Sequence, residues 1–232
     1  MKKRSKRYKL IEKKKVRDKL SFDKSLDLVK ETCTTKMDES IDLSIRINTK
    51  QSKGGDFNLR TVVKLPNGNG KKFKIAVLCE QEKVQEAIKV GADISGSQDL
   101  LDKISSGELN FDKLICTPGM MSKIGKLGKI LGPKGLMPNP KSGTVTDDIV
   151  EGINLVKAGR VEFKMDKTAN VAVIVGKRSF TPEQITENTV AAVNALNEQR
   201  PKTSVGRYIK SLTLSSTMSP GLAVDVADFN KA

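Results

Sequence analysis

Five lysines, Lys123, Lys126, Lys129, Lys134 and Lys141, stand among Gly125, Gly128, Gly132, Gly135, Pro133, Pro138 and Pro140, with no acidic residue in residues 120–141. Ammonium groups without neighbouring acids neutralise phosphates, glycine admits close backbone approach, and proline stiffens the chain. So many glycines and prolines rule out regular helix throughout. The run matches neither GxxxxGK[ST] nor GxGxxG, so the chemistry expected of it is contact with a polyanion rather than a nucleotide cradle. A second basic element lies at the start: residues 1–19 carry eleven Lys and Arg against Glu12 and Asp18, a net of +9. The whole chain carries +15, and outside these two elements 26 basic side chains face 25 acidic ones. A nearly neutral body with two basic elements implies a polyanion partner; a solubilising tail and a solvated charged loop are the alternative.

Other chemistries are poorly supplied. The chain has no His, so the commonest general base and metal ligand is missing, and neither a Cys–His nor a Ser–His pair can be built. No metal-ligand cluster, metal or cofactor is expected, and no enzyme. Cys33, Cys79 and Cys116 are far apart and odd in number, which predicts free thiols in a reducing compartment, with Cys79 and Cys116 as buried small hydrophobes. No apolar run reaches the roughly 18 residues of a membrane span, and the basic start is not followed by a secretory apolar stretch. A cytoplasmic location without membrane contact is the expectation. Aromatics are 4% with no Trp, which predicts an aliphatic core and argues against a reader that stacks successive bases on rings.

The elements that must position these groups fall into two styles. A helical arm is expected over residues 1–19, then a helix from Ser21 to about Glu31 with Phe22, Leu26 and Val29 on one stripe. Ile41, Leu43, Ile45 and Ile47 alternate as a half-buried strand, the polar loop Lys50 to Asp56 follows, and residues 59–65 form a second strand closed by Pro66 and Asn67-Gly68-Asn69-Gly70. Phe73 to Cys79 reads as a strand buried on both faces, followed by helix (Lys83 to Val90), Ala92 to Ile94, helix (Gln98 to Ser106), strand (Leu114 to Cys116) and helix (147–157, ended by Gly159). Val161 to Met165 and Val171 to Val175 then read as strands joined by a polar turn. Thr181-Pro182 starts a long helix with Ile185, Val190, Val193 and Leu196 inward, and Tyr208 to Leu214 is a last alternating strand. The class is α/β and α+β: a split α+β domain from residues 1–66 and 160–232, and an inserted α/β parallel-sheet domain of residues 67–159. The crossings near 66–70 and 158–160 would form a hinge.

Residues 125–144 read GKLGKILGPKGLMPNPKSGT, and this long run resembles the signature of the large-subunit ribosomal protein L-one family, bacterial type. Lys36-Met37-Asp38-Glu39-Ser40, Asn58-Leu59-Arg60, Leu65-Pro66-Asn67-Gly68, Ala158-Gly159-Arg160-Val161 and Ser216-Thr217-Met218 extend the resemblance over roughly residues 5–230. It implies two hinged domains, the first made from both chain ends. It also implies binding of large-subunit rRNA at the mobile stalk, assistance to deacylated tRNA leaving the exit site, and repression of the chain's own operon mRNA. Outside the ribosome the protein would be a monomer.

The resemblance carries an RNA surface onto Lys36, Met37 and Ser40 before the first long strand and onto Ser216, Thr217, Met218 and Gly221 after the last. Lys36 would neutralise a phosphate, the hydroxyls of Ser40 and Thr217 suit a 2′-hydroxyl or base edge, Met218 an apolar contact, and Gly221 close backbone approach. Taken alone, Lys36 would be a solvated charge, Thr217 a turn residue and Met218 core filler; the motif reverses those readings. Asp166, Lys167 and Thr168, in a turn expected nearby, are secondary candidates. Lys123, Lys126, Lys129, Lys134 and Lys141 would form a second surface for rRNA or tRNA, with a loop folded onto its own domain as the alternative. Two departures matter. Family members often carry Phe where Met37 stands, and Ser219-Pro220 precedes Gly221 where a Gly-rich turn is usual, leaving Pro220 without an N–H to donate. A non-specific basic RNA binder or RNA chaperone is the competing function.

Overall fold

The computed structural model describes residues 4–16, 18–48, 59–71, 73–157, 159–201 and 206–229. The loop expected over residues 50–56 lies outside them, as do Asn58, Ala158 and the side chain of Lys141. The mixed α/β and α+β class expected of the sequence is the class observed. The chain forms two compact units, Met1–Gly70 with Val161–Ala232, and Lys71–Arg160.

In the first unit, β1 (Ser40–Ile47) pairs antiparallel with β7 (Asn170–Lys177) on one side and β8 (Ile209–Ser216) on the other; β9 (Leu222–Val224) extends the sheet to the order β7-β1-β8-β9. Alternation explains the burial: Ile41, Leu43, Ile45 and Ile47 are all buried, while Ser40, Asp42, Ser44 and Arg46 are not. Each buried aliphatic side chain contributes on the order of 2 kcal/mol. Two helices share this core, α2 (Phe22–Thr32) through Phe22, Leu26 and Val29, and α8 (Pro182–Glu198) through Ile185, Ala192, Val193 and Leu196. α8 opens with a reciprocal cap: Thr181 Oγ1 accepts from the Gln184 N–H, and the Thr181 N–H donates to Gln184 Oε1.

Two readings of this unit are corrected. Val190 is exposed, because the inward stripe of α8 runs through Ile185, Asn188, Thr189, Ala192, Val193 and Leu196 and leaves position 190 off it. β6 (Arg160–Lys164) and β7 do not form one hairpin ladder: β6 pairs with β2 (Arg60–Lys64) in a separate two-stranded sheet, and only the bridge Met165–Val171 joins it to β7. The short β9 had no alternation to announce it. Of the arm expected to be helical over residues 1–19, α1 (Lys6–Lys13) is helical, with Ile11 buried, and residues 14–16, 18 and 19 are not.

The second unit is a three-stranded parallel sheet in the order β4 (Ile94–Gly96), β3 (Ile75–Leu78), β5 (Lys113–Cys116). Successive residues of β3 feed opposite faces. Ala76 and Leu78 meet α4 (Gln98–Ser105), α5 (Pro118–Gly125) and α6 (Gly128–Leu131), through Ile104, Met120, Ile124 and Leu131. Ile75 and Val77 meet α3 (Val84–Val90) and α7 (Ile149–Lys157), through Ala87, Ile149, Ile153 and Val156. Helices on both faces are why every residue of β3 is buried. Cys33, Cys79 and Cys116 are free and buried.

Asn188 ties the turn after β2 to α8. Its amide accepts from the Asn67 N–H at 3.0 Å and donates to the Gly68 and Val175 carbonyls at 2.9 and 2.7 Å, fully buried. Asn188→Leu strands these three backbone groups, so denaturant unfolding is expected to show a loss of about 3 kcal/mol. A change within 0.5 kcal/mol would mean the turn is held by something else.

Candidate nucleic-acid interface

Residues 35–40 and 216–219 lie 177 positions apart and are joined by the β1–β8 register, which sets Ile41 against Ser216. Glu39 sits at the junction, only 1% exposed. Its carboxylate accepts from the Thr35 N–H (3.2 Å) and hydroxyl (2.7 Å), from the Ser216 hydroxyl (2.5 Å) and from the Met218 N–H (3.2 Å). Burial pushes the carboxyl up, but the bonds from Ser216, Thr35 and Met218 together outweigh it and hold it below the ordinary carboxylate value. Thr217 closes the seam: its N–H donates to Ser40 O at 3.0 Å and its hydroxyl accepts from the Ser40 N–H at 3.1 Å.

A third segment joins from the end of β7, whose register sets Lys177 against Ser40. The Arg178 N–H donates to Glu39 O at 2.8 Å, and its guanidinium donates to Thr35 O at 3.1 Å. Asp38 accepts from the Ser179 N–H and hydroxyl and lies 3.8 Å from Lys177 Nζ. From the chain start, Arg7 donates to Thr34 Oγ1 at 3.0 Å and to Met218 O at 3.2 Å. The outcome is a face with Lys36, Met37, Arg178, Thr217 and Met218 exposed, and with Met37 and Met218 as two of the few exposed large apolar side chains. Cations around apolar and hydroxyl groups can neutralise phosphates while packing on sugars or base faces.

The candidates of the first unit separate accordingly. Lys36, Met37, Ser40, Thr217 and Met218 come together on this face. Ser216 is beside them but buried, its hydroxyl turned onto Glu39, so it shapes the turn. Gly221 is required by packing: a Cβ there would stand 2.8 Å from Thr213 Cγ2. Asp166, Lys167 and Thr168 are not nearby. Asn170 pairs with Arg46 and the Ile47 N–H donates to Ala169 O, so their turn lies at the far end of β1, about 23 Å off at ~3.3 Å per residue. There the Asp166 carboxylate accepts from the N–H groups of Asn170 and Thr168 and from the Thr168 hydroxyl. These bonds hold it below its ordinary pKa, the work of a turn former. Glu39, Arg178 and Arg7 were missed as site residues. Glu39 stood inside the quoted run, but an acid is not an obvious part of an anion site. The positions of Arg178 and Arg7 depend on long-range pairing that no local pattern shows.

In the second unit, the lysine-rich segment is more ordered than a loop. α5 carries Lys123, Lys126 follows it, Lys129 lies on α6 and Lys134 in the turn beyond, all four exposed. Ile124, Leu131 and Pro138 are buried beneath, and Leu136 and Met137 pack on the same core. The segment is therefore folded onto its own unit and still presents its cations outward. The turn after α6 needs its glycines: a Cβ on Gly132 would stand 2.6 Å from Gly128 O, and Gly135 has φ +68°.

Two compact units, one carrying a basic and apolar face built from both chain ends and the other a lysine-studded cap, define a two-unit α/β protein with the surface of a polyanion binder. Residues 29–220 match the model of the Ribosomal protein L1p/L10e family, and the chain belongs to that family. It is 52% identical over 194 residues to the large ribosomal subunit protein uL1 of Pelagibacter ubique, covering 83% of this chain and 84% of the relative. It is 48% identical to the protein of that name from Prochlorococcus marinus (88% and 86% covered), and 45% identical to that from Polynucleobacter necessarius over the full length of both.

Glu39→Ala leaves two N–H and two hydroxyl donors without their acceptor, at a cost of about 2–4 kcal/mol. Amide hydrogen exchange at Thr35 and Met218 is expected to accelerate at least ~tenfold, and unchanged exchange would contradict the anchoring role. Because the folded pKa is depressed, Glu39's stabilisation is present above its unfolded pKa of about 4.3. It is lost as pH falls through the lower folded value, so Glu39→Gln should flatten that acid limb of the stability profile.

Proposed function

We propose that this chain is a structural, non-enzymatic constituent of the large ribosomal subunit that binds large-subunit rRNA through the Glu39-organised face. Family membership and relatives named as large-subunit proteins support the ribosomal role. The observation that carries the RNA site is the joining of the two family-motif turns by one buried carboxylate, which leaves Lys36, Met37, Thr217 and Met218 exposed together. In this reading the unit formed by both chain ends is the RNA-binding domain. The inserted unit offers Lys123, Lys126, Lys129 and Lys134 to rRNA or to exit-site tRNA, assisting its release from the stalk. The same Glu39 face would take a similar structure in the chain's own operon mRNA, making the protein a translational repressor. The protein acts as a cytoplasmic monomer until it joins the ribosome.

A binder working by charge alone makes a different forecast, because the non-specific phosphate term collapses with salt whereas shape and base contacts persist. Purified protein is titrated with a stalk-base fragment of large-subunit rRNA and with a scrambled hairpin across a salt series. Preference for the stalk fragment should survive 200 mM salt. Thr217→Ala and Met218→Ala should each weaken the stalk complex by about 1–2 kcal/mol through lost turn geometry and apolar contact. Lys36→Gln should lower the salt slope by about one phosphate contact. Equal binding to both RNAs with the variants silent would leave only the charge-driven binder.

A further inference from the structure

Between α1 and the 217–219 turn lies a cleft of about 390 Å³, in the size range of small-ligand sites. Arg4, Arg7 and Tyr8 form one wall and Thr217, Met218 and Ser219 the other. The helix is capped at its start and tied across the cleft by one bond. Ser5 caps it, accepting from the Tyr8 N–H at 3.2 Å, and the Arg7 guanidinium reaches across to Met218 O. Tyr8 is half-buried, with the Arg4 guanidinium 5.0 Å from its ring centroid, and Arg4 in turn pairs with Glu12. Tyr208, Phe22, Phe111, Phe163 and Phe229 are buried in the cores. Among the described residues, Tyr8 is the one ring that lines the cleft.

We propose that this cleft holds a single unpaired nucleotide of the bound RNA, its base stacked against Tyr8 and the Met218 thioether and its phosphate on the Arg4–Arg7 edge. The chemistry fits each part. An aromatic ring offers a face to any base, the thioether packs on the other side or on the sugar, and guanidinium groups take phosphate oxygens in a fork. Thr217 and Ser219 place hydroxyls beside the sugar; each already bonds Ser40 or Ser216 and keeps a lone pair that can accept from a 2′-hydroxyl. A base within a duplex hides its faces in the stack, so the occupant must be unpaired. The cleft is continuous with the Glu39 face through Thr217 and Met218, so occupant and RNA surface share one ligand. The low aromatic content excludes a multi-base platform but not one stacked base.

The proposal rests on the RNA-binding reading of the Glu39 face, and the test separates the two. Binding of the full chain to the stalk-base RNA fragment is measured for wild type, Tyr8→Leu, Tyr8→Phe and Thr217→Ala across salt. Ultraviolet cross-linking of the wild-type complex is mapped by mass spectrometry. Tyr8→Leu should bind about tenfold more weakly with an unchanged salt slope, as loss of one stacked base requires. Tyr8→Phe should stay within twofold, and a mononucleotide adduct should appear on the peptide holding Tyr8. Wild-type affinity in Tyr8→Leu alongside a weakened Thr217→Ala would overturn the cleft and leave the RNA face standing. Silence of both variants would overturn the RNA reading itself. Should Tyr8→Leu unravel the helix, absence of the wild-type cross-link alone overturns the proposal.

Discussion

The face proposed here for RNA depends on a buried carboxylate. Glu39 belongs by sequence to a turn before the first strand, yet half of its bonds go to Ser216 and Met218 near the other end of the chain. The two groups of donors can converge only if β1 and β8 pair in the register that sets Ile41 against Ser216. That register is enforced by the aliphatic face of β1, because a slip of one residue would turn Ile41, Leu43, Ile45 and Ile47 to the outside. Hydrophobic alternation thus fixes the pairing, and the pairing delivers the donors to the carboxylate. The carboxylate holds two turns in the geometry that exposes Met37 and Met218.

An acid at the centre of the proposed RNA face is less paradoxical than its charge implies. Buried, and with four donors directed at it, Glu39 spends its charge inward. Asp38 is likewise engaged by Ser179 and faces Lys177. The charges that remain directed outward are basic: Lys36 and Arg178, with Arg4 and Arg7 at the neighbouring cleft. The same division holds in the second unit, where Ile124 and Leu131 are buried while Lys123, Lys126, Lys129 and Lys134 are exposed. In both places apolar groups build the fold, joined in the first unit by buried Glu39, and the cations are left facing outward.

Much of this was legible from the residues alone. β1 announced itself by strict alternation, α8 by Thr181-Pro182, and the buried β3 by its unbroken apolar run, since each is a local pattern with a local physical cause. Val190 was misjudged because the inward stripe of α8 is completed by polar Asn188 and Thr189, both buried and bonded to backbone carbonyls, which hydropathy alone does not reveal. The Asp166–Thr168 turn was expected near the Lys36 and Thr217 segments but lies at the other end of β1, because strand direction and register decide which end it meets. The Lys36–Ser40 and Ser216–Met218 segments entered by resemblance. Their junction through Glu39 and Arg178 is a tertiary fact that no spacing encodes.

Methionine oxidation footprinting of the full chain, with and without a stalk-base fragment of large-subunit rRNA, tests the central claim most directly. Met37 and Met218 lie on the two turns that Glu39 joins and are 52% and 46% exposed, whereas Met120 and Met165 are buried controls. If the two turns form one RNA face, Met37 and Met218 lose reactivity together and in proportion to RNA bound, while Met120 and Met165 stay slow throughout. Unchanged oxidation of both at saturating RNA would contradict the account.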